Sequence, residues 1–189
     1  VGTTADGTKS LQELFEERVM DFPKPPSLIR FLAELVTWND PNAVILDFFA
    51  GSCSTAHAVL ELNREDAGNR RFIVIQLQEP TPDGSIARKA GFKTIADIGK
   101  ERLRRVICKM KEENGKQSDT IDLGFKVFKL AESNYRPWKG VGEKTPERYA
   151  AEMEAHIDSL VKGWKKENVI YEVALKEGLE LTCRIEHDT

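Results

Sequence analysis

Asp47 ends an apolar run, and a group of small and hydroxyl-bearing residues follows it directly. The apolar run is 43–46, the segment 48–55 reads Phe-Phe-Ala-Gly-Ser-Cys-Ser-Thr, and a helical apolar pattern continues to Leu62. A buried strand, a tight turn and a helix start in this order are typical of a crossover that binds a nucleotide-like cofactor. Small residues let the backbone approach a ligand, and the free N–H groups of a helix start favour a carboxylate or a phosphate.

Elements on both sides of this segment must position it. Residues 2–8 are small and polar, which indicates a linker or a flexible edge, and apolar residues between 11 and 19 then predict a short helix before Asp21. Prolines 23, 25 and 26 predict an extended turn, and Pro26 is expected to open the next helix, whose apolar stripe is Leu28, Ile29, Leu32, Leu35 and Val36. The pattern further predicts a strand at 72–75 that is covered by helices on both faces, and a helix from about Thr94 to Glu113 that is capped by Thr94 and Asp97.

The last part of the sequence predicts three more elements. A third strand is expected at 125–130, and a helix is expected to begin at Thr145–Pro146, with an apolar stripe that continues to Trp164. A further helix near 169–176 is expected to stop at Gly178.

Composition restricts the class of protein. The chain has 189 residues, 40% of them hydrophobic and 31% charged, which fits a globular protein with one sizeable core. The three cysteines and three histidines are scattered, so neither a disulfide framework nor a metal site is expected, and a reduced cytoplasmic location is favoured. No apolar run approaches the roughly 20 residues of a membrane span. The net charge of −3 does not favour a mainly phosphate-contacting surface.

The sequence of the loop resembles a motif of a known family. Asp-x-Phe-x-Gly-Ser-x-Ser-Thr at 47–55 resembles the S-adenosylmethionine loop of amino-group DNA methyltransferases, whose usual form has glycine where Cys53 stands. Further segments resemble one branch, the modification (Mod) subunit of type III restriction–modification systems: 21–25 (Asp-Phe-Pro-Lys-Pro), 55–59, 62–63, 68–73, 76–79, 91–95, 100–102, 124–130 and 133–138. The ordered set covers nearly the whole chain and is more specific than any single motif.

The resemblance implies a fold, a reaction and partners. The fold class is α/β, a Rossmann-like methyltransferase fold that is partial here, with an α-rich C-terminal extension. Residues 1–20 are assigned to a linker and N-terminal helix, 21–115 to the S-adenosylmethionine-binding region, and 119–189 to the extension. The implied reaction is methylation of adenine N6 in double-stranded DNA by a bacterial Mod subunit, which pairs with a second copy and with a restriction subunit.

The family's catalytic tetrapeptide, Asp/Asn-Pro-Pro-Tyr/Phe/Trp, does not occur in this sequence. In this branch it precedes the cofactor loop, so the chain is interpreted as a C-terminal part of a modification subunit that binds cofactor weakly and methylates nothing alone. Residues 134–138 contain Asn, Tyr, Pro and Trp but lack adjacent prolines, and are treated as structural.

Six positions between 47 and 55 carry predicted contacts to the cofactor, most of them to its methionine end. Asp47 is expected to face the methionine ammonium, and otherwise is an acidic turn residue. Gly51 allows close backbone approach, or is merely a tight turn. Phe49 packs either in the core or beside the adenine. The hydroxyl residues, which either bind the methionine carboxylate or cap the helix, are Ser52, Ser54 and Thr55.

Cys53 departs from the family pattern. If this position requires a positive φ, cysteine costs of order 1 kcal/mol there. A helix start can lower a thiol pKa, but no partner base is identifiable, so a nucleophilic role is disfavoured. At the end of the second strand, Gln76 and Glu79 compete for the ribose hydroxyls, with Gln76 ranked first. Lys24 and Pro25 either line the methionine end through backbone atoms or form a rigid turn.

Three other interpretations stay open. The basic stretch 100–105 is read as the solvated face of an amphipathic helix rather than as a phosphate-binding surface. The first rival function is an assembly module that mediates contacts between subunits without binding cofactor. The second is a nicotinamide-dependent dehydrogenase, which the absence of Gly-x-Gly-x-x-Gly disfavours.

Overall fold

The computed structural model describes residues 2–114, 122–138, 140, 142 and 145–186, and it has two compact units, Val1–Gly124 and Phe125–Thr189. The elements of the first unit are α1 (Thr4–Phe15), α2 (Pro26–Thr37), β1 (Val44–Asp47), α3 (Ser54–Asp66), β2 (Arg71–Val74), α4 (Ile86–Lys89) and α5 (Ile95–Asn114). Those of the second are α6 (Pro146–Ala155) and α7 (Lys166–Lys176).

The two strands are parallel and pair in register, with Val44 opposite Arg71 and Asp47 opposite Val74. The predicted strand–turn–helix at 43–62 is therefore present, and α3 packs on β2, α2 and α5. The prediction that the second strand is covered on both faces is wrong for the described residues. Val44, Leu46 and Ile73 point to the open face of the sheet and are 48%, 47% and 52% exposed. A mixed helix–strand unit with a parallel pair is shown, and a complete Rossmann-like sheet is not.

Helix α1 begins earlier than predicted. Thr3 and Asp6 form a capping box, in which the Thr3 N–H donates to Asp6 Oδ2 at 2.6 Å and the Asp6 N–H donates to Thr3 Oγ1 at 3.4 Å. Gly7 is buried and lies so close to the proline segment that a Cβ there would stand 2.1 Å from the Pro23 carbonyl oxygen. The expectation of a linker at 2–8 is wrong, since these residues cap and form the first turns of a helix that lies against the proline segment.

The predicted helices that begin near residues 26 and 94 are confirmed, but the face of α2 that was predicted to be buried is not. In α2 the small side packs inward, burying Ala33, while the predicted stripe residues Leu32, Leu35 and Val36 are exposed. Helix α5 begins with the predicted pair, in which the Thr94 N–H donates to Asp97 Oδ2 at 2.9 Å. One cluster of the unit's buried core consists of Leu11, Phe15, Val19, Ala87 and Ile98.

The prediction of a third strand at 125–130 is wrong, since these residues form no strand ladder with any described residue. Instead, Phe128 lies edge-on against Tyr171 of α7, with ring centroids 5.1 Å apart. Helix α6 opens at the predicted Thr145 cap but ends at Ala155 and buries no residue, so the stripe extending to Trp164 is not core. Helix α7 stops before Gly178, which has φ 73° as expected for a left-handed terminator. The predicted boundary at 115–119 lies outside the described residues.

Candidate functional site

Asp47 stands at the carboxyl end of β1, and both of its carboxylate oxygens are held. Oδ1 accepts the Phe49 N–H at 2.9 Å, and Oδ2 accepts the Thr55 hydroxyl at 2.5 Å. The strand, the loop and the first turn of α3 therefore meet at this side chain. A carboxylate has about four acceptor positions, so these two bonds leave Asp47 able to accept more.

The loop between Asp47 and α3 uses two left-handed residues. Gly51 has φ 52° and Cys53 has φ 59° and ψ 38°, and the Cys53 N–H donates to the Ala50 carbonyl at 2.7 Å. The condition for a strained cysteine is met, so Cys53 costs of order 1 kcal/mol in backbone energy. The Gly51 N–H donates to Gln76 Oε1 at 2.7 Å, which attaches the loop to the end of the second strand.

The N-terminus of α3 has no side-chain cap. Ser54 Oγ donates instead to the Lys24 carbonyl at 2.8 Å, and Thr55 is engaged with Asp47. The simple helix-capping interpretation of these hydroxyls is therefore wrong. Among the described residues, no side chain caps the first turn of α3, so no side-chain acceptor offsets the positive end of its helix dipole.

Arg102 of α5 is the buried residue that sequence reasoning placed wrongly. Its side chain is fully buried, although the basic stretch 100–105 was expected to be a solvated face. Its Nη1 donates to Ser52 Oγ and Ser54 Oγ, each at 2.8 Å, and its Nε donates to His57 Nδ1 at 3.2 Å. The available signal was its register, since Arg102 follows Ile98 by four residues and precedes Val106 by four on the buried stripe.

Burial sets the protonation states around the loop. It raises the pKa of the Cys53 thiol to about 11, with a contribution from Asp47 and an opposing one from Arg102. Cys53 is therefore a neutral thiol at physiological pH and not an activated nucleophile. Burial also lowers the pKa of His57. Since an arginine only donates, His57 Nδ1 accepts, and its Nε2–H faces Glu61 Oε1 at 3.2 Å.

The other predicted site residues lie around this loop with different roles. Phe49 is exposed, which removes the core interpretation and leaves a ligand-side one. Gln76 uses its carbonyl oxygen on the loop, so only its amide nitrogen is left to face a ligand. Glu79 has an exposed side chain and contributes its carbonyl to the start of α5, at 2.9 Å from the Ile95 nitrogen. The Lys24 carbonyl accepts the Ser54 hydroxyl, so the proline segment lies against the start of α3.

A cleft of about 430 Å³ adjoins the loop. Met20 joins the two, because it lines the cleft and its Cε lies 3.6 Å from the position a Cβ on Gly51 would take. The cleft is also lined by Thr81 and Pro82, which follow β2, and by Ile86. Among the described residues, no cluster of His, Cys, Asp and Glu is arranged to hold a metal ion. No described helix has the length and apolar character needed to cross a membrane.

Comparison with known proteins assigns the region that contains this loop. A profile of the DNA methylase family, covering enzymes of the N6/N4 type, matches residues 8–81. Within residues 8–81 the chain is therefore similar to DNA methylases. It is 41% identical over 131 residues to the type III restriction-modification enzyme StyLTI Mod subunit of Salmonella typhimurium, a match that covers 69% of this chain and 20% of that protein.

Two further relatives agree with this assignment. The EcoP15I Mod subunit of Escherichia coli is 40% identical over 124 residues, which are 65% of this chain and 18% of that protein. The type II methyltransferase M.KpnI of Klebsiella pneumoniae is 39% identical over 103 residues, or 54% of this chain and 24% of that enzyme. The resemblance to type III Mod subunits is thus confirmed. The chain spans about a fifth of the length of the relatives it matches.

Proposed function

We propose that this chain is the S-adenosylmethionine-binding part of a DNA methyltransferase that modifies adenine N6. The observation that carries the proposal is the pairing of Asp47 with the uncapped start of α3. The methionine end of the cofactor is a zwitterion, with an ammonium and a carboxylate on one carbon. The loop offers a carboxylate for the first group, and N–H groups with a helix dipole for the second, within one turn.

The remaining predicted residues complete the arrangement. Gly51 and Cys53 turn the backbone so that the ligand can approach it, and Lys24 with Pro25 borders the methionine end. Phe49 offers an exposed ring to the adenine, while the Gln76 amide nitrogen and Glu79 are assigned to the ribose hydroxyls. When bound, the cofactor supplies the methyl group, and these residues bind and orient it.

The part of the reaction that holds the target base is assigned to residues outside this sequence. Residues 134–138 cannot replace the missing tetrapeptide, because Asn134 already donates two hydrogen bonds to Glu172. Glu172 Oε2 accepts the Asn134 backbone N–H at 2.7 Å and the Asn134 side-chain amide at 2.9 Å. Double-stranded DNA, a second Mod subunit and a restriction subunit are the proposed partners of the whole enzyme, in the bacterial cytoplasm.

The test is a calorimetric titration of the chain with S-adenosylmethionine and with S-adenosylhomocysteine. Asp47→Ala is expected to weaken both at least about tenfold, because a charged hydrogen bond contributes roughly 1.5–3 kcal/mol. Asp40→Ala is the matched control, since Asp40 Oδ1 likewise accepts an N–H two residues on, from Asn42 at 3.1 Å, before β1 rather than after it. Failure of the folded chain to bind, or equal losses in the two variants, contradicts the proposal.

One observation supports a second candidate, an assembly module that does not bind cofactor. Parallel sheets are normally covered on both faces, yet the face containing Leu46 and Ile73 is open among the described residues. Apolar patches of this kind mark contacts with other protein surfaces. Light scattering together with the cofactor titration separates the two functions: association without cofactor binding supports the module, and binding by a monomer supports the methyltransferase.

A further inference from the structure

Arg102 is an unusual buried cation, because no carboxylate pairs with it directly. Its side chain is fully buried, and no described Asp or Glu forms an ion pair with it. The nearest acid in its network is Glu61, which is reached through the neutral His57 ring. Its Nη2 is buried without a hydrogen-bond partner in the described part of the chain. Burying an unpaired charge is costly, so a compensating role is expected for this side chain.

The contacts of Arg102 converge on the loop that precedes α3. Nη1 binds the hydroxyl oxygens of Ser52 and Ser54, the residues on either side of the N-cap Cys53, and lies 3.4 Å from the Ser52 carbonyl oxygen. One planar group therefore fixes the orientation of two residues that flank a strained left-handed position. Burial lowers the pKa of Arg102 to about 10, so the guanidinium stays protonated at neutral pH.

We infer that Arg102 is a positioning residue that fixes the start of α3 and adds positive charge behind it, so that the loop selects ligands with a carboxylate at the methionine end. This inference rests on the proposed function. Arg102 does not touch the ligand, because it is fully buried. Its charge and the partial positive charge of the α3 N-terminus act in the same direction on an anion at the helix start.

The test compares two ligands that differ at the methionine end. S-adenosylhomocysteine has the amino-acid carboxylate, and 5′-methylthioadenosine has the same adenosine and thioether but no amino-acid group. Ligand-detected NMR titrations give both dissociation constants for the wild type, Arg102→Met and Arg102→Lys. Arg102→Met is expected to weaken S-adenosylhomocysteine roughly tenfold and methylthioadenosine less than twofold, given the size of helix–charge effects in partly buried sites.

Arg105→Met is the matched control on the same helix. The Arg105 guanidinium lies over the Phe15 ring, 4.6 Å from its centroid, and donates to the Leu14 carbonyl at 2.9 Å, so it packs on α1 and not on the loop. This variant removes a part-buried arginine from the same helix and is expected to leave the ratio of the two constants unchanged. Arg102→Lys keeps the charge without the planar group, and is expected to recover part of the selectivity.

Each outcome decides between the two claims. Equal weakening of both ligands in Arg102→Met means that Arg102 only supports the fold, and it overturns the inference. If Arg102→Met does not fold, Arg102→Lys decides: a weakening of S-adenosylhomocysteine that exceeds that of methylthioadenosine supports the inference, and equal effects on the two ligands overturn it. If the wild type folds but binds neither ligand, the proposed function itself is refuted. If the wild type binds both ligands and Arg102→Met leaves the ratio of their dissociation constants unchanged, only the role of Arg102 is refuted.

Discussion

Cys53 combines an unfavourable backbone with a favourable side-chain environment. Its φ of 59° places a Cβ where glycine is preferred, and its side chain is only 7% exposed. The thiol lies against α5, where Gly99 leaves room for it, since a Cβ on Gly99 would stand 2.5 Å from Cys53 Sγ. Burial of the thiol therefore offsets part of the backbone cost.

Comparing two substitutions at Cys53 isolates the backbone cost. Cys53→Gly and Cys53→Ala both remove the thiol, but only glycine relieves the left-handed strain. We expect Cys53→Gly to be more stable than Cys53→Ala by about 1 kcal/mol in the free energy of unfolding. Urea denaturation followed by circular dichroism measures this difference. A more stable alanine variant would show that the loop does not keep its left-handed conformation in solution.

At the scale of elements, α5 supports the loop through a close approach at Gly99. Gly99→Ala is expected to destabilise the chain by about 1–3 kcal/mol, because the new methyl group meets Cys53 Sγ in a packed core. In a Cys53→Ala background that clash is absent, and the nearest atom is the Gly51 carbonyl oxygen at 3.2 Å. The same substitution should then be nearly neutral, since alanine favours the helix by about 1 kcal/mol over glycine.

The four proteins of this double-mutant cycle are compared by urea denaturation. The expected result is a coupling of at least about 1 kcal/mol between positions 53 and 99. Additive effects would mean that the methyl group is accommodated by movement of α5 as a whole rather than by pressing on the thiol. In that case the close approach seen at Gly99 does not constrain the loop.

The start of α5 carries an acid-sensitive cap. The Lys100 ammonium, 2.8 Å from Asp97, and the Thr94 donors hold the pKa of Asp97 at about 2, against the opposing effect of burial. A folded-state pKa below the ordinary 3.8 stabilises the fold above about pH 4, and this contribution is lost as the pH falls through 2. Solvent screening at this half-buried position limits it to roughly 1 kcal/mol.

Asp97→Asn should therefore lower the free energy of unfolding at pH 7 by about 1 kcal/mol. The gap between variant and wild type should narrow between pH 4 and 2, because the wild-type carboxyl becomes protonated there. Urea denaturation at pH 7, 5, 4, 3 and 2 gives the comparison, and the other carboxyl groups are common to both proteins. A gap that stays constant down to pH 2 would exclude this carboxyl as the source.

At the scale of the whole molecule, local patterns were predicted from sequence and non-local ones were not. The strand–turn–helix at 43–62 and the Thr94–Asp97 cap depend on neighbouring residues, and both are present. The third strand at 125–130 is absent because a strand needs a partner ladder, which sequence alternation cannot supply. The start of α1 was missed although the Thr3–Asp6 capping box was readable in the sequence.

The candidate site divides in the same way. Asp47, Gly51 and the hydroxyl residues were identifiable because they are consecutive in the sequence. Arg102 was not, because it comes from a helix some fifty residues later and only the folded structure brings it to Ser52 and Ser54. Charge composition suggested a surface role for this residue, whereas helical register with Ile98 indicated burial.

The open face of the sheet leads to a prediction about association. Leu46 and Ile73 lie on this face, and both are about half exposed where a parallel sheet is normally covered. We expect the chain to self-associate at concentrations of tens of micromolar, the range where exposed apolar surfaces become significant. Sedimentation velocity over a concentration series measures this.

Replacing Leu46 and Ile73 by threonine should reduce the association while keeping the strands, because threonine retains a high strand propensity. Ile157→Thr is the control, since Ile157 lies outside the sheet and is 84% exposed, so it tests whether any exposed isoleucine has the same effect. A monomeric wild type would mean that the sheet face is covered in solution, and equal effects of both changes would mean that general hydrophobicity drives association. Loss of association in the sheet variant alone identifies this face as the surface that further protein must cover.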